Sequence, residues 1–342
     1  MFPKARFVSE FGFQSHPSFD SFANVTSKED WARDSRMVLF RQRHSGGNEE
    51  MDRQIARTFV LPPAAPPADG AVVVADAPTA CFRHWVYLTQ CNQALAYETA
   101  VGLWRHLRNH EQYRCAGSLY WQLNDTWPVA SWSSVDYHGR WKALQYMARK
   151  FFAPLLVSGV EDKAKGIVAI HVTSDLLQPI AATLRWRICT AAGKTVGRGS
   201  KTIRAAKLAS RKVHALDMTD LLAKYGERDL LVHLELAAKG QPLSTNLVTF
   251  ARPKHMELAK KPGITARVAS DGSQGFLVTL ETKSPTLWTW LELSKADATY
   301  SDNFVHLLPG QKAKILVQPK KPMSVREFRE QLCVRSLVDT YA

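Results

Sequence analysis

The sequence predicts a multi-domain chain: a partial (β/α)8 TIM barrel holding the last two βα units, followed by two β-sandwiches. Three observations predict it. The first half alternates short apolar runs with long helical patterns, in the order strand, helix, strand, helix. Beyond Pro154 the apolar period drops from near 3.6 to near two. A Pro- and Lys-rich stretch, Arg252–Pro262, then divides the two-period region into halves of about 100 residues, the size of an immunoglobulin-like fold.

In chain order, Arg6–Glu10 reads as a short strand ended by the Phe11-Gly12-Phe13 turn. Lys28–Leu39 reads as a helix with Ser27 as N-cap and Asp30 completing a capping arrangement. Gly46-Gly47-Asn48 precedes a second helix, Glu49–Phe59. The stretch from Leu61 to about residue 80 is rich in Pro and Ala and reads as an insertion, because proline blocks regular structure. His84–Leu107 carries the strongest helical pattern, with Trp85, Leu88, Cys91, Leu95 and Gly102 at spacings of three, four and seven. A buried strand, Ser118–Leu123, is followed by a tryptophan-rich loop and a helix, Ala143–Phe152.

The first sandwich takes predicted strands at Ile167–Thr173, Ala182–Cys189, Lys201–Ala205, Lys212–Leu216, Leu230–Leu236 and Leu247–Phe250. The second takes Gly275–Thr282, Trp288–Leu293, Lys312–Gln318 and Cys333–Asp339. The resulting domains span 1–153 (with the 61–80 insertion), 154–252 and 253–342.

Composition narrows the function. The chain has 342 residues, 45% of them hydrophobic and 22% charged, which supports a packed core and argues against disorder. Its net charge of +14 invites a nucleic-acid partner, but the cations are scattered through predicted strands, so they read as solvated faces and no nucleic acid is expected. No apolar run reaches the length of a membrane span, and the first residues lack the pattern of a signal peptide. Five cysteines without ligand spacing point to no disulfide framework, no metal and no cofactor. The compartment stays open.

Chemistry concentrates in Gly117–Lys142, GSLYWQLNDTWPVASWSSVDYHGRWK, which holds four of the ten tryptophans. Aromatic faces beside amides and carboxylates at a strand end suit a sugar: rings cover the apolar faces of a pyranose and polar groups bind its hydroxyls. A core strand with an aromatic loop packed over it explains the same composition.

The segment YWQLNDTWPVASWSSVDYHGRWKALQYMARKFFAP resembles the signature that closes the catalytic barrel of β-mannosidases in glycoside hydrolase family two. ARFVSEFGFQSHPS resembles the segment carrying that family's nucleophilic glutamate, and TYSDNFVHLLPGQKAKI with VRSLVDTY resembles its terminal immunoglobulin-like domain. The resemblance implies the C-terminal portion of a retaining β-mannosidase that removes terminal non-reducing β-D-mannose from β-mannosides. It makes Glu10 the nucleophile and Trp121 the aromatic platform. Asn124 and Asp125 could bind hydroxyls or pin the loop. Trp127, Trp132 and Trp141 read as packing, and Gln14 and Ser15 as supports for the Glu10 strand.

The family's acid/base is the Glu of an Asn-Glu pair on an earlier barrel strand. Asn48-Glu49 follows Glu10 and no strand, and suits a helix start instead. The acid/base is therefore expected from a separate N-terminal half. The same strand-end Glu and platform also serve β-galactosidases and β-glucuronidases. A non-catalytic carbohydrate-binding or scaffold fragment is the other alternative.

Overall fold

The computed structural model describes residues 3–63 and 77–341, so most of the Pro- and Ala-rich stretch, residues 64–76, lies outside the described residues. Two compact units are formed. Of the described residues, one comprises those up to Val101 together with Ala116–Arg149 and Tyr341; the other comprises Gly102–Cys115 and Lys150–Thr340.

The first unit is built on helices α1 (Phe19–Ala23), α2 (Arg36–Arg41), α3 (Gly47–Thr58), most of α4 (Ala77–His106) and the start of α5 (Ala143–Phe151). The predicted helix Lys28–Leu39 is broken. Asp30 does close back on Ser27, accepting from its amide at 3.0 Å, but this ends a single 3-10 turn, Lys28–Asp30. Ser35 then caps a separate helix, its hydroxyl accepting from Val38 N at 3.2 Å and donating to Asp30 O at 2.7 Å. Two polar caps eight residues apart cannot both start one continuous helix, and the second cap wins the register.

Two extended segments cross this unit side by side. Val8 and Ser118 form a parallel bridge: Val8 N donates to Gly117 O at 3.1 Å and Leu119 N to Val8 O at 2.8 Å. Ala116 N donates to Arg6 O at 2.8 Å upstream of it. Val8 is buried, whereas Phe7, Leu119, Trp121 and Leu123 are exposed, so Ser118–Leu123 is not the buried strand predicted but an extended segment with a single bridge at Ser118.

The second unit contains two sandwiches, each of a three-stranded and a four-stranded antiparallel sheet. The first uses β1 (Leu155–Asp162), β2 (Ile167–Ser174), β3 (Ile180–Thr190), β4 (Thr195–Ala205), β5 (Ala209–Asp217), β6 (Leu230–Ala238) and β7 (Gln241–Thr249), with helix α6 (Thr219–Tyr225) before β6. Its sheets run β1-β2-β5 and β4-β3-β6-β7. Alternate residues of both sheets, among them Val168, Ile170, Leu184, Val232 and Leu234, meet in one buried core. Side chains of β7 tie the sheets along one side, Ser244 Oγ accepting from Val157 N at 3.1 Å and Asn246 Oδ1 from Gly159 N at 2.9 Å.

The second sandwich uses β8 (Thr265–Ser270), β9 (Phe276–Glu281), β10 (Thr286–Leu293), β11 (Ala298–Tyr300), β12 (Val305–Leu307), β13 (Ala313–Pro319) and β14 (Leu332–Arg335), with helix α7 (Val325–Gln331) before β14. Its core gathers Phe276, Val278, Leu291, Ile315, Val317 and Phe328. Asn303, fully buried, bonds both main-chain groups of Leu291 at 2.8 Å and so stands in for a missing strand partner. The predicted final strand ends early: Leu337–Tyr341 is a 3-10 turn, held where Ser336 N donates to Asp339 Oδ2 at 2.6 Å.

Candidate functional site

Glu10 lies where the pairing of the two extended segments changes register. Leu119 N bonds Val8 O, but the next bond runs from Trp121 N to Phe11 O at 2.8 Å. Two residues, Ser9 and Glu10, thus stand opposite the single residue Leu119. Such a bulge re-aims a side chain, and Ser9 and Glu10 are both exposed in succession, where strict alternation would bury one. The bulge sets Glu10 one residue before the carbonyl that fixes Trp121.

Trp121 is half exposed while its main chain is held on three sides. Its amide bonds Phe11 O, its carbonyl accepts from the Tyr97 hydroxyl at 2.7 Å, and the following amide, Gln122 N, bonds Trp132 O at 3.1 Å. Tyr97 reaches from α4 and also accepts from Phe13 N at 3.2 Å, so one phenol holds both segments. Burial raises that phenol's pKa well above its ordinary value, keeping it a donor. The peptide between Trp121 and Gln122 is cis.

Gly12 allows this packing. A Cβ there would meet Trp132 Cδ1 at 2.6 Å and Trp121 O at 2.8 Å. Gly12→Ala is therefore expected to cost about 1–3 kcal/mol by overpacking and to displace Trp121; urea unfolding and the intrinsic fluorescence of the folded chain would show both.

Beyond Trp121 the loop is organised by polar contacts. Asn124 is exposed, and its carbonyl accepts from Gln122 Nε2 at 2.7 Å. Asp125, half-buried, accepts from Ser133 Oγ at 2.6 Å. Behind it lies Lys142, fully buried, 3.4 Å from both Ser133 Oγ and Ser15 O. Burial lowers the Lys142 pKa to about 8, against the pull of the Asp125 and Asp136 charges. Asp136 is itself buried and accepts from Ser18 Oγ and Ser21 Oγ, each at 2.6 Å, and from His138 N and Arg140 N. The loop after Trp121 is thus pinned to the segment after Glu10 through a buried cation, with Asp125 facing inward.

The other predicted residues fall as follows. Ser15 pairs its main chain with Ser131 and donates its hydroxyl to Gln93 at 2.8 Å, and Gln14 donates to Gln42 at 3.1 Å. Trp127 lies under the Arg41 guanidinium at 5.2 Å, Trp141 packs on Tyr146 at 5.1 Å, and Trp132 meets the exposed His44 ring at 5.6 Å. Asn48 is buried inside the first turn of α3, accepting from Gln42 Nε2 at 3.0 Å, and Glu49 is exposed on that turn. Sequence reasoning passed over Tyr97, Gln93 and Lys142. The signal for Lys142 was its place between Trp141 and the apolar start of α5, downstream of two loop aspartates. Among the described residues, no group of three His, Cys, Asp or Glu could hold a metal, and no helix is long and apolar enough to cross a membrane.

Comparison with known proteins gives the chain its relatives. Residues 166–255 match the family described as a mannosidase Ig/CBM-like domain, and residues 259–340 one described as an Ig-fold domain of the mannosidase type. The β-mannosidase of Capra hircus is 34% identical over 99% of this chain, and that of Mus musculus 33% identical over all of it. In each case the chain spans 38% of the relative's length. The β-D-mannosidase structure from Dictyoglomus thermophilum superposes with a TM-score of 0.79 at 25% identity, covering 97% of this chain and 37% of that one. An exo-chitosanase structure from Amycolatopsis orientalis shares the fold at 13% identity with a TM-score of 0.66.

Proposed function

We propose that this chain, a homologue of β-mannosidases along its whole length, forms the C-terminal portion of a retaining β-mannosidase and supplies its nucleophile. In this reading residues 1–153 end a (β/α)8 barrel, and two immunoglobulin-like sandwiches follow at 154–252 and 253–342. The paired parallel segments, each followed in sequence by helices, support the barrel assignment. The observation that carries the proposal is the bulge that exposes Glu10 one residue before the main-chain anchor of Trp121. Barrel enzymes place catalytic groups at the C-terminal ends of parallel strands.

The reaction takes two displacements. The Glu10 carboxylate attacks the anomeric carbon of a terminal β-mannoside while the bond to the leaving oxygen breaks and a second carboxylic acid protonates that oxygen. Water, deprotonated by the same group, then displaces Glu10 and releases mannose with its configuration retained. The Trp121 indole offers a face for the sugar, and Asn124 a free polar edge for its hydroxyls. Asp125 bonds Ser133 and serves the loop before it serves a substrate.

In this reading the acid/base belongs to the remaining portion of the enzyme, the chain spanning 38% of its relative's length. That portion would also cover Phe7, Leu119 and Leu123, apolar side chains 51%, 58% and 60% exposed, as the rest of a barrel covers its own interior. Whether the two portions are one polypeptide or two does not alter the chemistry. β-Mannoside oligosaccharides are the expected substrates.

The test is mass spectrometry of the full-length protein after reaction with a 2-fluorinated mannosyl fluoride. A label on the peptide holding Glu10 is expected; a label on any other carboxylate overturns the assignment. Faster hydrolysis of nitrophenyl β-galactoside or β-glucuronide than of the β-mannoside would reassign the substrate.

A further inference from the structure

We propose that the outer face of the four-stranded sheet in the first sandwich binds a phosphate or sulfate group between Arg187, Arg198 and His233. The strand registers place these three in one row. Arg187 of β3 stands opposite Arg198 of β4 on one side and opposite His233 of β6 on the other. Cross-strand neighbours on one face lie close enough to interact, and like charges directly opposite each other oppose folding. A row of two guanidiniums and an imidazole is therefore a cost that the sandwich alone does not explain.

The neighbouring row shows what compensation looks like. Two residues along, on the same face, Arg185 stands opposite Glu235 and bonds it at 2.7 Å. That carboxylate is committed to Arg185. Arg187 receives less: its Nη1 donates to Pro309 O at 2.7 Å, while Nε and Nη2 are buried with no hydrogen-bond partner. A guanidinium presents donors in a planar fork that matches a tetrahedral oxyanion, and here part of that fork is unused.

There is room for a ligand. A cavity of about 500 Å³ opens over the row, lined by Arg185, Arg187, Arg198, His233 and Glu235 and by Gln311 of the second sandwich. Arg198 is exposed at its mouth. His233 is held neutral there, lowered to about 4 by burial and then by the Arg187 charge, and a neutral imidazole can still donate one hydrogen bond to an oxyanion. Two guanidiniums with no carboxylate partner among the described residues favour a multiply charged oxyanion over a carboxylate. The site shares no residue with the Glu10 region, so its fate is independent of the catalytic reading.

The test is thermal unfolding and calorimetry of the chain with inorganic phosphate, with sulfate, and with glucose 6-phosphate against glucose, at constant ionic strength. Saturable binding of phosphate or sulfate that raises the unfolding temperature is expected, and glucose is expected to do nothing. Tighter binding of glucose 6-phosphate would assign the site to a sugar-borne oxyanion; equal affinity would assign it to the free ion. Arg198→Ala, at an exposed position, should keep or slightly raise the unfolding temperature in anion-free buffer, by removing the repulsion. It should also lower the affinity at least tenfold. Lys320→Ala, a remote surface cation paired with Asp297, should leave binding unchanged. Absence of saturable binding, or equal losses in both variants, overturns the proposal.

Discussion

Glu10→Gln is expected to cut β-mannoside turnover by the full-length protein by about 10⁴-fold or more, the scale on which losing a covalent nucleophile acts. The amide is isosteric but cannot attack the anomeric carbon. Because Glu10 is exposed at a bulge, the substitution should leave the urea midpoint unchanged, which separates a chemical loss from unfolding. A companion variant reports on stereochemistry. In Glu10→Gly, azide can enter the space of the missing carboxylate and attack from the same face, giving the α-mannosyl azide. Recovery of that product is expected; a Glu10→Gln enzyme as active as its parent would dismiss Glu10 from the chemistry.

Lys142→Met is expected to destabilise the fold by roughly 3–5 kcal/mol, as removal of one member of a buried charge network generally does. The thioether fills most of the vacated volume, so the loss reports the charge and its bonds rather than a cavity. Asp136, with its several donors, should hold its place, whereas Asp125 keeps only Ser133 and should release the loop after Trp121. The effect carries a pH signature. Burial brings the Lys142 ammonium from 10.5 to about 8, so the folded chain gives up this proton before the unfolded chain does. Stability from this residue therefore rises as pH climbs from about 8 toward 10.5. Urea unfolding at stepped pH should show the gap between parent and variant widening across that window. A gap that stays constant would mean that Lys142 titrates alike in both states.

Much of this architecture was legible in the residues. Helix α4 runs through the predicted His84–Leu107 segment, and α5 matches the prediction within a residue. Nearly every alternating run after Pro154 became a strand, because period-two burial on a sandwich leaves a strong trace. β1 escaped, since LLVSGVED opens with adjacent apolar residues that are all buried and so lacks alternation. β8 escaped too, its residues being almost all exposed, and β11 and β12, three residues each, are too short to leave a pattern.

The candidate site was legible in part. Glu10 and Trp121 were named from motif resemblance, and their main chains meet as neighbours on paired segments. The register change that exposes Glu10 depends on hydrogen bonds between residues some 110 positions apart, which no local pattern encodes. Lys142 hid for a different reason: a lysine reads as a surface residue until its partners, Asp125, Asp136 and the Ser15 carbonyl, are assembled around it.

The bond from Arg187 to Pro309 O joins the first sandwich to the second, and the same guanidinium is the one left short of partners. Whatever occupies its spare donors would also stiffen the joint. Ser284 Oγ donates to Ala192 O at 3.3 Å along the same joint, so an anion held by Arg187 would load the seam between the two β domains and not one domain alone.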